Sequence, residues 1–402
     1  MARNPRYPMT AGTLVDRKAI VSLFVAIALT GAFAILSSTM SKTPILPLFA
    51  KSLGASEVEI GWIAVASTIP GILISMPSGA LGDRLGRRKI LMASLVVFAT
   101  APFLYLMVTG AWGLGAVRFY HGIATAVFGT VALAVIAEQF PEERAMRLSS
   151  YSSATIAGRS IAPFLGGLLI SVSGYNAVFV VCGIAGVAAF AIGTRIAPDR
   201  REPTAKSADG GTWRDLLAVV RNRAIIATSL TEATQYFAFG AVEAFLALLA
   251  DALGMPAWRV GIVLGAQLVG IVVVKPAMGA VSDRRGRKAV IIPGLAIGAL
   301  AAGLMPQAAS FLELLALSVI FGLGFAAVTS STSALVADLS AGRGYGTSMG
   351  VLRTILDIGQ SGGPVVTGWV IVHFGYTDAF LVIAAVQCLG IAILTLGVRG
   401  RI

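Results

Sequence analysis

The chain has 402 residues, of which 56% are hydrophobic and only 12% are charged. Soluble domains carry roughly 25% charged residues, so this composition excludes an ordinary soluble protein and indicates that lipid is the main solvent. The formal net charge of +12 could indicate a nucleic-acid partner, but the basic residues lie between apolar runs, which excludes that class. The two cysteines, Cys182 and Cys388, lie inside apolar runs without metal-ligand spacing, so neither a disulfide framework nor a metal site is expected.

Twelve apolar runs are long enough to cross a bilayer, because a helix of roughly 20 apolar residues spans the hydrocarbon layer. The first run, after Lys18, is longer than a signal-peptide core and has no clear Ala-x-Ala cleavage site, so it is predicted to be a retained span. In chain order the spans are predicted at 19–41, 58–81, 90–109, 112–138, 148–172, 175–196, 224–250, 257–281, 289–307, 312–338, 346–373 and 376–398.

One long polar interval divides these spans into two groups of six. We therefore predict an N-terminal six-helix bundle at 1–197, a linker at 198–223 and a C-terminal six-helix bundle at 224–402. Within the linker, the stretch from Trp213 to Val220 is either a short helix at the membrane surface or a plain connection.

The distribution of Lys and Arg predicts the orientation. Basic residues outside the spans lie almost entirely on one side of the membrane, and only Lys51 and Arg259 lie on the other. Since positive loops stay on the cytoplasmic side, both termini and the linker are predicted to be cytoplasmic. The protein is expected in the plasma membrane, which in a bacterium is the inner membrane.

A block of sequence occurs twice, 200 positions apart. The stretch Gly79-Ala-Leu-Gly-Asp-Arg-Leu-Gly-Arg-Arg-Lys89 returns as Gly279-Ala-Val-Ser-Asp-Arg-Arg-Gly-Arg-Lys288. The register holds elsewhere, because Gly54, Glu138, Pro163 and Gly174 match Gly254, Asp338, Pro364 and Gly375. A duplication of this kind predicts two homologous halves that can move against each other.

These residues resemble the major facilitator superfamily over essentially the full length. The duplicated block is similar to its signature loop, and Arg118 with Gly122 resembles its Arg-x-x-x-Gly motif. The resemblance implies an all-α membrane protein with twelve transmembrane helices in two pseudo-symmetric bundles around a central cavity. It implies a transporter rather than an enzyme, without a cofactor. Proton-driven export of small organic molecules or drugs by alternating access is favoured, and uptake by a proton symporter or facilitator is the alternative.

The signature loop is predicted to form a cytoplasmic gate. Gly79 and Gly279 allow helices of opposite halves to approach closely. Asp83 and Asp283 would face the positive ends of spans eleven and five, and Arg87 and Arg287 would reach Glu138 and Asp338. The alternative is that the loop only sets topology. The whole candidate gate is Gly79, Asp83, Arg84, Gly86, Arg87, Glu138, Gly279, Asp283, Arg284, Gly286, Arg287 and Asp338.

A second motif lies in the fifth span and consists of Gly158, Pro163, Gly166 and Gly167. It is similar to the motif of the drug/proton antiporters, although Ala162 stands where that motif has Gly. Its glycines and proline allow a tight seam and a kink. A hinge or proton barrier is one interpretation, and ordinary close packing is the other.

Ionisable residues inside spans are costly in lipid, so each should face the bundle interior, a partner or water. They are Lys42, Arg118, Arg159, Glu232, Glu243, Lys275, Arg353 and Asp357. Basic residues outnumber acidic ones in this set, which leans towards anionic or zwitterionic cargo.

Glu232 and Asp357 are the candidates for proton coupling, because burial and a nearby Arg act in opposite directions on a carboxyl group. For Asp357 the alternative is a permanent ion pair with Arg353, one helical turn away. The candidate residues of the substrate cavity are Arg118, Arg159, Gln235, Tyr236, Arg353 and Gln360. The expected partners are a small-molecule substrate, protons and the lipid bilayer, with no nucleic acid, and the protein is predicted to be a monomer.

Overall fold

The computed structural model describes residues 12–71, 73, 86–140, 143–196, 213–340 and 345–398. Every regular element in this part of the chain is a helix. Nine of these helices are long and apolar enough to cross a membrane.

The first span is built from two helices, Gly12–Met40 and Ile45–Ser52. The sequence analysis ended this span at residue 41, which was wrong, because the chain resumes a helix that carries it as far as Ser52. Pro44 separates the two helices, since proline lacks the N–H that a continuous helix requires, whereas Pro47 is tolerated within a first turn.

The remaining helices of the N-terminal half follow the predicted order. Span two begins with Glu57–Ala66, where Ser56 and Glu59 form a capping box. Span three is Arg87–Leu104, followed by a 3₁₀ turn at Tyr105–Met107, and span four is Ala111–Gln139. Spans five and six form the long helix Arg144–Gly193.

The C-terminal half begins after the linker. A short helix, Trp213–Arg221, ends the linker, so of the two interpretations of this stretch the helical one is observed. Span seven is Arg223–Ala252, span eight is Ala257–Arg285, and span nine is Lys288–Leu304 with a 3₁₀ turn at Met305–Gln307. Span ten is Phe311–Leu339, and spans eleven and twelve form Tyr345–Gly397.

Both long helices are broken at a glycine, as the predicted span boundaries require. Gly174 has φ 75° and Gly375 has φ 86°, a backbone conformation that L side chains rarely adopt. Each glycine therefore separates two membrane spans. The count of twelve spans stays a prediction, because part of span two lies outside the described residues.

The duplication predicted from sequence is visible in the backbone. Gly54 and Gly254 have φ 79° and 74°, and Gly86 and Gly286 both have φ 93°. Turns of the same kind therefore recur at matching positions, so the two halves share one chain path.

Among the described residues, the hydrophobic core that the two halves share lies at one end of the molecule. We call the end that carries Arg87, Arg284 and Arg287 the basic end, and the end that carries Lys51 and Arg259 the opposite end. At the opposite end one cluster joins both halves, with members such as Phe49 and Leu46 beside Phe245 and Leu246. Towards the basic end each half has separate clusters, one around Phe98 and Phe128 and others around Leu295 and Leu356.

Glycines allow the two halves to meet closely at the opposite end. A Cβ added at Gly261 in span eight would lie 2.5 Å from the carbonyl oxygen of Pro163 in span five. A Cβ at Gly61 in span two would lie 2.5 Å from the carbonyl oxygen of Pro364 in span eleven. Both seams depend on the absence of a side chain, which is the usual means by which membrane helices approach each other.

Candidate functional site

A cavity of about 560 Å³ lies between the two halves. It is lined from the N-terminal half by Ser67, Arg118, His121, Thr125, Gly129 and Leu133, among others, and from the C-terminal half by Arg353, Asp357 and Gln360. A neighbouring space of about 380 Å³ shares Gly129 and Leu133 with it and is lined by Arg159. The structure therefore brings Arg118, Arg159, Arg353, Asp357 and Gln360 to adjoining spaces.

Ion pairs between the halves close this cavity towards the opposite end. Lys42, which also lines the cavity, binds Glu243 with an Nζ–Oε2 distance of 2.7 Å. The hydroxyl of Thr43 donates to the other carboxylate oxygen of Glu243 at 3.2 Å. Further out, Lys51 binds Asp251 at 3.3 Å. The sequence analysis identified Lys42 and Glu243 as intramembrane charges but did not pair them.

Arg118 is a buried cation whose partners among the described residues are hydroxyl groups. Its side chain donates to Ser67 Oγ at 2.9 Å and to the Tyr105 hydroxyl at 3.4 Å. The residue is 3% exposed, and its Nε has no hydrogen-bond partner. Among the described residues no carboxylate lies within 4.0 Å of it. Gly122 allows span two to pack here, since a Cβ would lie 2.5 Å from the carbonyl oxygen of Ser67.

Glu232 is the most deeply buried acid of the site. It is 2% exposed, and its Oε2 has no hydrogen-bond partner. Lys275 and Arg353 are close enough to act on it electrostatically, but within the described structure neither forms an ion pair with it at 4.0 Å or less. No described cation therefore neutralises it at contact distance, although the hydroxyl groups of Thr332 and Ser333 are close enough to donate to it.

Asp357 differs from Glu232 in having a partner. Its Oδ2 lies 3.3 Å from Arg353 Nε, one helical turn away. The Asp357 side chain is 17% exposed and that of Arg353 is 72% exposed. The ion pair expected from the spacing is thus present, with its cation towards the cavity water.

Aromatic side chains cluster near these charges. Tyr236 meets Phe325 edge-on with 5.1 Å between ring centroids, and Phe239 lies against Phe325 at 4.5 Å. Tyr236, a predicted cavity residue, is not among the lining residues of the two spaces, but it interacts electrostatically with Glu232, Arg353, Asp357 and Arg159. Phe325 was not predicted as a site residue.

Gln235 was predicted to line the cavity, and this was wrong. It is fully buried, and its side-chain oxygen accepts a hydrogen bond at 2.9 Å from Nε2 of Gln387, which lies in span twelve. Consecutive side chains of a helix point about 100° apart. Gln235 and Tyr236 therefore lie on different faces of span seven, and Gln235 points into its own bundle.

At the basic end, Arg287 joins two carboxylates of the C-terminal half. Its Nε donates to Asp338 at 2.9 Å, as expected from sequence, and its Nη1 donates to Asp283. Burial alone would lower the pKa of Arg287, but the hydrogen bonds and charges of Asp338 and Asp283 outweigh it, so this pKa is raised above its usual value. Among the described residues Asp283 contacts Arg287 rather than the predicted start of span five.

The remaining residues of the candidate gate form turns, are exposed, or lie outside the described residues. A Cβ at Gly279 would have no neighbour within 4 Å, so the close approach expected there is not made. Gly286 and Gly86 form equivalent turns, and Arg284 is exposed. Gly79, Asp83, Arg84 and the side chain of Glu138 lie outside the described residues, so their expected contact with Arg87 stays a prediction.

The glycines of span five make close contacts on two sides. A Cβ at Gly167 would lie 2.5 Å from the carbonyl oxygen of Ala257 in span eight. On the other side, a Cβ at Gly158 would lie 2.7 Å from the carbonyl oxygen of Ala32, and one at Gly166 2.8 Å from Ile45 Cδ1. This geometry matches the close-packing interpretation, and Pro163 lies within the same seam.

Comparison with known proteins gives matches over both halves. A family model described as Major Facilitator Superfamily matches residues 23–256 and 228–401. The uncharacterized MFS-type transporter MJ1560 of Methanocaldococcus jannaschii is 25% identical over 342 residues, which cover 84% of this chain and 88% of that protein. Multidrug resistance protein MdtG of Proteus mirabilis is 25% identical over 353 residues, covering 85% and 88%. Multi-drug resistance efflux pump PmrA of Streptococcus pneumoniae is 24% identical over 346 residues, covering 84% and 86%.

Solved structures support the fold. A mutant of the nucleoside transporter NupG has a TM-score of 0.80 at 13% identity, covering 94% of this chain and 100% of that one. A bacterial homolog of the human lysosomal transporter Spinster, in an inward-facing and unoccupied conformation, has a TM-score of 0.74 at 16% identity, covering 94% and 95%.

Proposed function

Because the chain belongs to the Major Facilitator Superfamily, we propose that it exports small organic molecules in exchange for protons by alternating access. The protein is a membrane transporter rather than an enzyme, with the lipid bilayer and a small-molecule substrate as partners. Relatives named as multidrug resistance proteins and efflux pumps support export. We propose that it is a monomer in a bacterial inner membrane. Both termini are proposed to be cytoplasmic, since positive loops stay inside.

The conformation suits an exporter that is waiting for cargo. If the basic end faces the cytoplasm, the central cavity would open to the inside, because the contacts between the halves that the described residues make gather at the opposite end. The ion pair of Lys42 with Glu243 and the Gly167–Gly261 seam then separate the cavity from the outside. Breaking these contacts and closing the basic end would expose the same cavity to the exterior.

The observation that carries proton coupling is the state of Glu232. A carboxylate that is 2% exposed, with an unpartnered oxygen and no ion pair at contact distance, is costly as a charge inside a membrane. We therefore expect Glu232 to carry a proton in this conformation. Cargo that brings a positive group or water to Glu232 would make the charged form acceptable and release the proton to the cytoplasm. The Arg353–Asp357 pair, which lines the cavity, is the second candidate.

The cluster at the basic end is proposed as the latch of the outward-facing state. Arg287 holds Asp283 and Asp338 together in the C-terminal half, which leaves this cluster ready to dock when the basic end closes. If Asp283→Asn leaves both transport and the balance between inward-facing and outward-facing states unchanged, the loop only sets topology.

Inside-out vesicles test the proposed function. With an acidified lumen, an antiporter that exports its cargo loads substrate from a panel of cationic dyes, organic anions, zwitterions and sugars. Glu232→Gln should abolish loading driven by the pH gradient while retaining exchange of labelled for unlabelled substrate, and Asp357→Asn tests the second acid. Asp378→Asn, an exposed carboxylate at the opposite end, is the control.

The same vesicles decide between export and the alternative. A symporter for uptake would empty rather than fill the vesicles when their lumen is acidic. Loading that survives in both Glu232→Gln and Asp357→Asn would show that neither acid carries the proton.

A further inference from the structure

We propose that the cargo is zwitterionic: an organic molecule with an anionic group that binds Arg118 and a cationic group that faces the acids of the C-terminal half. The inference rests on the proposed function and names its substrate class. It follows from the way in which charge is divided between the two walls of the cavity.

The N-terminal wall contributes only cations at this depth. The charged residues that line the two adjoining spaces from this half are Lys42, Arg118 and Arg159, and among its described lining residues there is no carboxylate. Lys42 is neutralised by Glu243 from the other half. Arg118 and Arg159 have no ion-pair partner within 4.0 Å in the described part of the chain.

Arg118 lacks the counter-charge that its burial calls for. It is 3% exposed, it donates only to the neutral oxygens of Ser67 and Tyr105, and its Nε has no partner. Binding of an anion to this buried cation would be strongly favourable, because charge-assisted hydrogen bonds are about twice as strong as neutral ones. Hydroxyl groups of Thr68 and Thr125 line the same cavity and can donate to the same anion.

Within the described residues, the acids of the site come from the C-terminal half. Asp357 lines the cavity in a pair with Arg353, and Glu232 lies one helical turn from Tyr236, near Lys275 and Arg353 but with no described ion pair at contact distance. A cationic group in the cavity would meet the carboxylate of Asp357, and near Tyr236 it would meet the face of a ring, which favours cations. Its positive charge would also favour release of the Glu232 proton, and proton antiport requires that release. A purely anionic cargo would oppose it.

Size and shape agree with this class. A cavity of about 560 Å³ falls within the roughly 300–1,000 Å³ typical of sites for drug-sized ligands. The rings of Tyr236, Phe239 and Phe325 pack against one another in the C-terminal half, and Tyr236 is close enough to Asp357 to interact with it electrostatically. An organic molecule of moderate size with opposite charges at its ends would use both charged walls.

Four probes that share one ring separate the possible charges: phenylalanine as zwitterion, phenylalanine amide as cation, 3-phenylpropanoate as anion and 3-phenylpropanol as neutral molecule. Their binding to purified protein is measured by calorimetry. Phenylalanine should bind at least about tenfold more tightly than either singly charged probe, because it alone forms both charged contacts. Arg118→Gln should remove the higher affinity of phenylalanine relative to the cationic probe. The double variant Asp357→Asn with Glu232→Gln should remove its higher affinity relative to the anionic probe.

Two further variants keep the test decisive. Arg118→Lys keeps the charge and should retain the preference for phenylalanine over its amide, which a merely structural role of Arg118 would not explain. Arg221→Gln, on the exposed linker helix, should change no affinity. The proposal is overturned if the amide binds as tightly as phenylalanine, if no probe binds, or if Arg118→Gln weakens amide and zwitterion equally. Acid-driven loading of a cationic dye, with no zwitterion loaded, would overturn the zwitterion and leave proton-driven export standing.

Discussion

Lys51 and Asp251 lie 200 residues apart, at equivalent positions of the duplicated sequence, and they bind each other across the boundary between the halves with an Nζ–Oδ2 distance of 3.3 Å. Thr43 and Glu243 are a second pair of equivalent positions in contact, at 3.2 Å. Contacts between equivalent positions mark where the pseudo-two-fold axis leaves the molecule. The closure of the opposite end is therefore built on this axis, where the two halves meet.

Removing the inner pair should open the opposite end. In Glu243→Gln, Lys42 loses its counter-charge at a partly buried site, which should destabilise the closed state by about 1.5–3 kcal/mol. A cysteine at the buried position Ala244, in a background of Cys182→Ala and Cys388→Ala, should then react with an impermeant maleimide about tenfold faster, since 1.4 kcal/mol corresponds to one factor of ten.

The outer pair provides the matched control. Lys51 and Asp251 have side chains that are 42% and 50% exposed, and exposed pairs contribute at most about 1 kcal/mol. Asp251→Asn should therefore change the labelling rate by less than about fivefold. Equal effects of the two substitutions would contradict the assignment of the inner pair as the main closure.

The seam between spans five and eight should be equally sensitive to a single methyl group. Gly261→Ala would place a Cβ 2.5 Å from the carbonyl oxygen of Pro163, a contact that backbone atoms must move to relieve. We expect faster maleimide labelling of Ala244→Cys and slower transport, because overpacking costs about 1–3 kcal/mol. Gly270→Ala in the same span, where the nearest atom is 3.8 Å away, should behave like the parent protein. Unchanged labelling in Gly261→Ala would mean that this seam can relax without opening.

Local features of this structure could be predicted from the sequence, because they depend on neighbours along the chain. The Arg353–Asp357 pair follows from one helical turn of separation, and the breaks at Gly174 and Gly375 follow from glycines between apolar runs. The shared chain path of the halves follows from the duplication. The contact of Arg287 with Asp338 also followed from the repeated motif.

Contacts that depend on how helices rotate and pack could not be predicted in this way. The pairing of Lys42 with Glu243 joins residues 201 positions apart, and it requires the packing of both bundles. Gln235 was assigned to the cavity, yet the way span seven packs turns it towards Gln387 in its own bundle. The equivalence of Lys51 with Asp251 was a usable signal, since oppositely charged residues at matching positions near a pseudo-two-fold axis can meet.

The buried amide pair should support stability and not transport. Gln387→Ala leaves the side-chain oxygen of Gln235 without its donor in a fully buried place, and an unsatisfied buried polar group costs about 1–3 kcal/mol. We expect a lower melting temperature in detergent and an unchanged apparent affinity for substrate. A loss of affinity at constant stability would return Gln235 to the substrate site.

Proton release on binding is the sharpest test of the proposed coupling, in which cargo and the Glu232 proton exclude each other. Purified protein in weakly buffered detergent is titrated with a substrate identified in the vesicle screen, and the pH is followed. We predict release of about one proton for each substrate bound by the parent protein, with none from Glu232→Gln. Equal proton release from the Glu232→Gln variant and the parent protein would contradict the account.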